Sequence, residues 1–261
     1  METSNSEKFV NHPSGTLKGS LRPQTNGAFN RTVVALIALA SFIATTVLLG
    51  WTFHIEPMKR IVTGFTSMNP MTAICFELSC VVLWLLKSSR PKGVKACAVD
   101  TLSVFVLYVG VGKLLDLWLG ISVCPDALLF KSQLDYGQPF PSRIAPNVAL
   151  SFSILSVAML GIDRPHWPKY LHPQWLVTPI LCLAFAALIG YSYNTSGLYE
   201  YKQYIPMALH SALNFILVST ALVLSRPNQG YMRLIPAGSP GARSYARLLP
   251  ACILVPSVLG A

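Results

Sequence analysis

Charge is the scarcest commodity in this 261-residue chain. Asp, Glu, Lys and Arg together make up 11% of it, less than half of the roughly 25% found in ordinary soluble domains. Acids are the rarer sign, 10 against 20 bases, for a net charge of +10. With 52% hydrophobic residues and a mean hydropathy of +0.51, so few charges cannot coat a water-soluble fold. The basic excess comes without a basic–aromatic stripe, zinc finger or RNA-binding motif, which argues against a nucleic-acid partner. No CxxC pair occurs, so the six cysteines read as small buried hydrophobes, with no metal site among them. No HExxH, nucleophile elbow or paired-carboxylate motif is present, which leaves no catalytic residues to assign. Nothing marks a haem or other cofactor, since His54 is the sole partner at a depth similar to His210.

Apolar runs are what the chain does have. Seven of them, at about 32–53, 70–87, 97–117, 145–162, 175–193, 205–225 and 246–261, approach the roughly 20 residues that cross a bilayer. The expectation is an all-α polytopic transmembrane helical bundle over residues 31–261. Residues 1–30, rich in Ser, Asn, Gly and Pro, read as a disordered cytoplasmic tail. Lys and Arg set the orientation. Arg22, Arg31, Arg90, Lys92, Lys95, Arg164, Arg226 and Arg243 fall on one side with other bases. The opposite side holds Lys59, Arg60, Lys131, Arg143 and Lys202. That bias places the N-terminus in the cytoplasm of a multi-pass protein of the bacterial inner membrane.

The runs are not independent. Ala73-Ile-Cys-Phe76, Ala149-Leu-Ser-Phe152 and Ala212-Leu-Asn-Phe215 recur at one phase of three runs, and each run leads to an Arg-Pro pair: Arg90-Pro91, Arg164-Pro165 and Arg226-Pro227. Each is preceded by a run ending near a glycine, at Gly50-Trp51, Gly112-Lys113 and Gly190-Tyr191. The unit is therefore a two-helix hairpin used three times. A last outgoing run ending at Gly260-Ala261 implies a fourth hairpin whose return helix, an eighth span, is missing.

The phrases NPMTA from Asn69, RIAPNVALSF from Arg143, MALHSALNF from Met207 followed by SRP, and ARLLPACILVPSVLG from Ala246 resemble one bacterial family. It is the polytopic membrane input region found upstream of PAS, histidine-kinase or diguanylate-cyclase modules. The resemblance covers about residues 31–261. It implies a non-enzymatic sensory input module that relays a stimulus through helix packing to a cytoplasmic signalling domain or partner protein. Homodimerisation within the lipid bilayer is part of the same expectation. The chain contains no phosphoacceptor box or GGDEF motif, so a kinase or cyclase would belong to a longer parent protein. The alternative is a small membrane transporter or channel, since repeats and intramembrane polar groups are hallmarks of those too.

Polar residues within the runs are the candidate sensing groups. Glu77 is a ligand- or proton-sensing carboxylate, or an interior group satisfied by a neighbouring helix. Thr72, Asn147, Ser151 and Ser211 suggest a polar layer shared by the returning helices. His210 and Asn214, four apart on one helix face, suggest a pH sensor or an interhelical hydrogen bond. Lys113 and Asp116, three apart, are expected to neutralise each other near the membrane surface. The 118–144 loop reads as a lid or an interfacial aromatic belt. The 163–173 segment, with His166 and His172, reads as a solvated loop, and Pro250 and Pro256 as kinks in the last run.

Overall fold

The computed structural model describes residues 25–60, 66–87, 91–120, 123–127, 129, 143–168, 172–192, 207–226 and 229. Among them are seven α-helices, a 3-10 turn and no strand. The helices are α1 (Thr25–Phe53), α2 (Glu56–Lys59), α3 (Pro70–Leu86), α4 (Val94–Leu119), α5 (Pro146–Gly161), α6 (Pro173–Ser192) and α7 (Leu209–Leu224); the 3-10 turn is Pro125–Ala127. Six of the seven apolar runs coincide with a helix. The seventh, 246–261, lies outside the described residues. The first helix begins at Thr25, inside the stretch read as a disordered tail, because extending a nucleated helix by a few polar residues costs little.

The helices that coincide with the apolar runs fall into two classes by length. Asn30–Phe53 in α1, Val94–Leu119 in α4 and Pro173–Tyr191 in α6 are long and apolar enough to cross a membrane. In contrast, α3, α5 and α7 have 17, 16 and 16 residues, short of the roughly 20 a full crossing takes. Of the seven expected spans, three are helices long enough to cross a membrane, three are shorter apolar helices, and the seventh lies outside the described residues. The short ones form the centre. Each is entered by an extended residue, Asn69, Ala145 or Ala208, with ψ between 139° and 149°. The residue before each (Met68, Ile144, Met207) is fully buried. Non-helical backbone at that depth is tolerated where protein rather than lipid surrounds it.

The three entries share one local geometry. Proline at the first helical position of α3 and α5 fixes φ and removes an N–H that would lack a partner. The first backbone bonds are equivalent: Ala73 N donates to Asn69 O at 3.1 Å, Ala149 N to Ala145 O at 3.0 Å, and Ala212 N to Ala208 O at 3.0 Å. Flanking helices are tied to these entries as well. Trp51 Nε1 donates to Met68 O at 2.9 Å, and the Tyr191 hydroxyl to Met207 O at 2.7 Å. These bonds join the end of a long helix to the start of the next short one, which makes each pair an antiparallel hairpin.

Packing closes the hairpins into a ring with threefold character. The long helix α1 lies between α3 and α7, α4 between α3 and α5, and α6 between α5 and α7, while the short helices meet one another in the middle. The repeated phenylalanines meet there: the rings of Phe76, Phe152 and Phe215 have centroids 4.7, 4.8 and 4.9 Å apart in the three pairings. Ala73, Ala149 and Ala212 form a buried layer near them, and Leu83, Met159 and Leu222 another further along. Gly110 lets α4 lie directly on α5, since a Cβ there would come within 2.6 Å of Ser153 Oγ and 2.8 Å of Ala149 O. Outward-facing positions on the long helices carry Phe42, Phe53, Val104 and Leu117 in exposed settings. So large an apolar exterior suits lipid as the surrounding solvent.

Candidate functional site

The ends of the three central helices are built differently. At the C-terminal end, Arg226 is only 7% exposed. Its Nε donates to both carboxylate oxygens of Asp163, at 3.0 and 2.9 Å, and its Nη2 contacts the same carboxylate. Nη2 also donates to Leu86 O at 2.9 Å, and Nη1 to Ser225 O at 2.8 Å. One guanidinium therefore joins the last turns of α3 and α7 to the residue just after α5, satisfying carbonyls that helix ends leave open. Gln174, at the start of α6, adds bonds to Val223 O at 3.1 Å and Arg226 O at 2.9 Å. The repeat marks Arg226 as an interface anchor, but it is a buried tie. Arg164 is the more exposed member, paired with Asp100 at 2.9 Å. Arg90 lies outside the described residues.

At the N-terminal end the core opens into a small cavity of about 10 Å³, room for one water-sized occupant. Thr72, Val148 and Ser211, equivalent in the repeat, line it, with Asn69, Ala145 and Ala208 from the helix entries and Arg143 among the other lining residues. Thr72 and Ser211 are 2% and 1% exposed, and neither hydroxyl has a hydrogen-bond partner among the described residues. The first turns of three helices converge on this point, so their positive dipole ends surround it, with Met71 N and Val148 N already capped by Asn69 and Asn147. One turn deeper, the three phenylalanine rings close the axis.

A buried clasp holds the rim. Asn69 Oδ1 accepts from Met71 N at 2.8 Å, capping α3, while its Nδ2 donates to Asp126 O at 3.2 Å. Lys113 Nζ pairs with the Asp126 carboxylate at 2.5 Å. The expected Lys113–Asp116 ion pair is therefore overturned. Asp116 instead accepts from Val123 N at 2.5 Å and Cys124 N at 3.2 Å. The reason is tertiary: the segment 123–127 folds back over the end of α4 and brings Asp126 to Lys113, which sits where the other hairpins have Trp51 and Tyr191. Asp116, Cys124 and Asp126 place ligand-type atoms within 4.8 Å of one another. However, an ammonium already occupies Asp126, and burial, then the nearby Asp126 charge, push the Cys124 thiol up to about 12. This cluster is a loop clasp in which Lys113 matches the Asp126 charge and backbone N–H groups satisfy Asp116.

The other predicted residues divide. Glu77 accepts from Ser41 Oγ and Thr45 Oγ1, both at 2.7 Å, so a neighbouring helix does satisfy it. Thr72 and Ser211 share the cavity as the polar-layer reading expected. Asn147 and Ser151 do not join them: Asn147 Oδ1 accepts from Val148 N at 3.0 Å, and Ser151 donates to Asn147 O at 2.7 Å, both within α5. The interhelical hydrogen bond expected of His210 or Asn214 is absent among the described residues, because Asn214 is fully buried with both amide atoms unbonded and His210 has no recorded partner. Of the 118–144 loop, Trp118 is exposed as a belt residue would be, and most of the rest lies outside the described residues. Asp126 and Pro179, which lies inside α6, carried no periodic signal. Asn69 could have been found as the N-cap that precedes a proline. No family model, curated protein or solved structure matches this chain.

Proposed function

We propose that this chain is a membrane-embedded sensory input module of bacterial signal transduction, with the axial cavity as its stimulus site. The observation that carries the reading is the blind shape of that cavity. Two unpartnered hydroxyls and three helix N-termini face it, yet the Phe76–Phe152–Phe215 cluster plugs the axis below. A polar pocket closed at its base suits detection better than passage. Any occupant alters how tightly the three helix starts approach. The same helices end at Arg226, where a change in spacing is felt at once by Asp163 and Leu86 O. An occupant that prefers one spacing shifts the population toward it, which is how a packing change is relayed. The resemblance of the repeated phrases to sensor input regions supports the same reading, with the Arg226 end on the cytoplasmic side facing a signalling domain or protein.

Site-specific crosslinking from the Arg226 end in native membranes tests this. The expected result is capture of a kinase, cyclase or PAS-containing partner, or of such a domain within the same polypeptide. Solute flux through vesicles that contain only the purified chain would instead establish the transporter reading and overturn the sensor.

A further inference from the structure

The seam between α1 and α3 holds a second polar site, away from the axis. Glu77 lies on the outward stripe of α3: Val81 and Trp84, four and seven residues on, share that face and are 46% and 47% exposed. On α1, Phe42, Thr45 and Leu49 form the matching exposed stripe. In a bilayer this face meets acyl chains, where a carboxylate without a counter-charge is costly. Ser41 and Thr45 each donate one hydrogen bond, one to each carboxyl oxygen. They satisfy lone pairs and bring no positive charge.

No cation pairs with Glu77 among the described residues. On α1 no titratable residue stands between Arg31 and His54, α5 has none, and α7 offers only His210. On α4, Lys113 is taken by Asp126 and Asp100 by Arg164; Lys95, Cys97, Tyr108 and Asp116 make no recorded contact with Glu77. The 3-10 turn adds only Asp126 itself. On α3 the other titratable groups are Cys75 and Cys80.

We infer that Glu77, held by Ser41 and Thr45, is a lipid-facing proton-binding site. As a carboxylate it accepts both hydroxyl hydrogens. When it takes a proton from water, its new O–H donates to one of those hydroxyl oxygens. That hydroxyl then turns its own hydrogen to the α1 carbonyl four residues back, Ile37 O or Ser41 O. Thr46 and Thr52 already make such bonds, to Phe42 O at 2.8 Å and Leu48 O at 3.0 Å. Both states are hydrogen-bonded without moving a helix. The assignment rests on the seam alone, and failure of the axial-pocket reading leaves it standing.

The test is labelling of the purified full chain, in detergent or vesicles, with dicyclohexylcarbodiimide, an apolar reagent that adds to neutral carboxylic acids, followed by mass mapping. Label is expected on Glu77 and is lost in Glu77→Gln. Labelling should fall about tenfold per pH unit once the carboxyl is mostly ionised. Ser41→Ala with Thr45→Val removes donors that favour the charged form, so labelling should persist several-fold more strongly at the alkaline end; a role in packing alone would not move that profile. Labelling that ignores pH, or folded protein that leaves Glu77 unlabelled at acid pH, overturns the assignment. Suppression by sodium at fixed pH, without a pH response, would give the site to a metal cation and overturn it equally.

Discussion

The two ends of the central three-helix core are made from equivalent positions and solve opposite problems. Where α3, α5 and α7 finish, a single guanidinium reaches groups at all three helix ends. Where they start, equivalent hydroxyls face a cavity without partners. The two ends differ in where their polar groups go: those at the C-terminal end mostly pair within the protein, although Gln174 Oε1 stays unbonded among the described residues, while those at the start line a cavity. A satisfied buried network fixes one arrangement, whereas unpaired buried groups leave an arrangement that an occupant can improve. The C-terminal end is thus tied through its centre by one side chain, whereas the N-terminal end is clasped at its rim and left open at its centre.

The largest effect should come from breaking the tie. Arg226→Ala removes the charge-assisted bonds to Asp163 and two bonds to carbonyls, and because Asp163 stays part-exposed and keeps Gln229 it should cost about 2–3 kcal/mol. Denaturant titration in detergent reads this directly. A loss no larger than that of an exposed arginine such as Arg164 would remove the contrast between the ends.

The double change Thr72→Val with Ser211→Ala sharpens the contrast from the other side. Those hydroxyls have no partners to lose among the described residues, so stability should change by less than about 1 kcal/mol, and in either direction. A clear destabilisation would mean the cavity is filled and bonded in the resting protein, ending its role as a responsive site.

The smallest effect concerns the connection between α1 and α3. The Lys59 hydrogen bond, opposed in part by burial and aided by the charges of Lys59 and Arg60, holds the Glu56 carboxyl below its usual 4.5. A lowered value stabilises the fold above the unfolded value near 4.5, and that contribution disappears as pH falls through the lower folded value. Because the Glu56 side chain is 55% exposed, screening should hold the effect below about 0.5 kcal/mol. Acid titration of Glu56→Gln beside the parent protein measures it.

Much of the fold was legible because helices announce themselves by composition. The Ala-x-x-Phe repeat went further: it located three residues that meet in space, since equivalent phases of equivalent hairpins must fall at equal depth. Site reading was less complete. Thr72 and Ser211 were found through the repeat, and Glu77 through the rarity of a carboxylate in an apolar run. Lys113 and Asp116 were misjudged because helix spacing reports only neighbours on one helix, and the true partner, Asp126, comes from a loop without periodicity. Asn214 and His210 face the same limit, since spacing gives a shared face but not what that face meets.

The sequence alone therefore determined the all-helical class, where the apolar runs fall and the shared phase of the three phenylalanines, because local hydrophobicity and the repeat are enough to set them. Only the tertiary structure decided that the returning helices are short and central, that Arg226 is a buried tie rather than a surface anchor, and that Glu77 looks outward between Ser41 and Thr45. Those facts depend on which helix faces meet, and packing across the ring settles them through contacts between residues far apart in the chain.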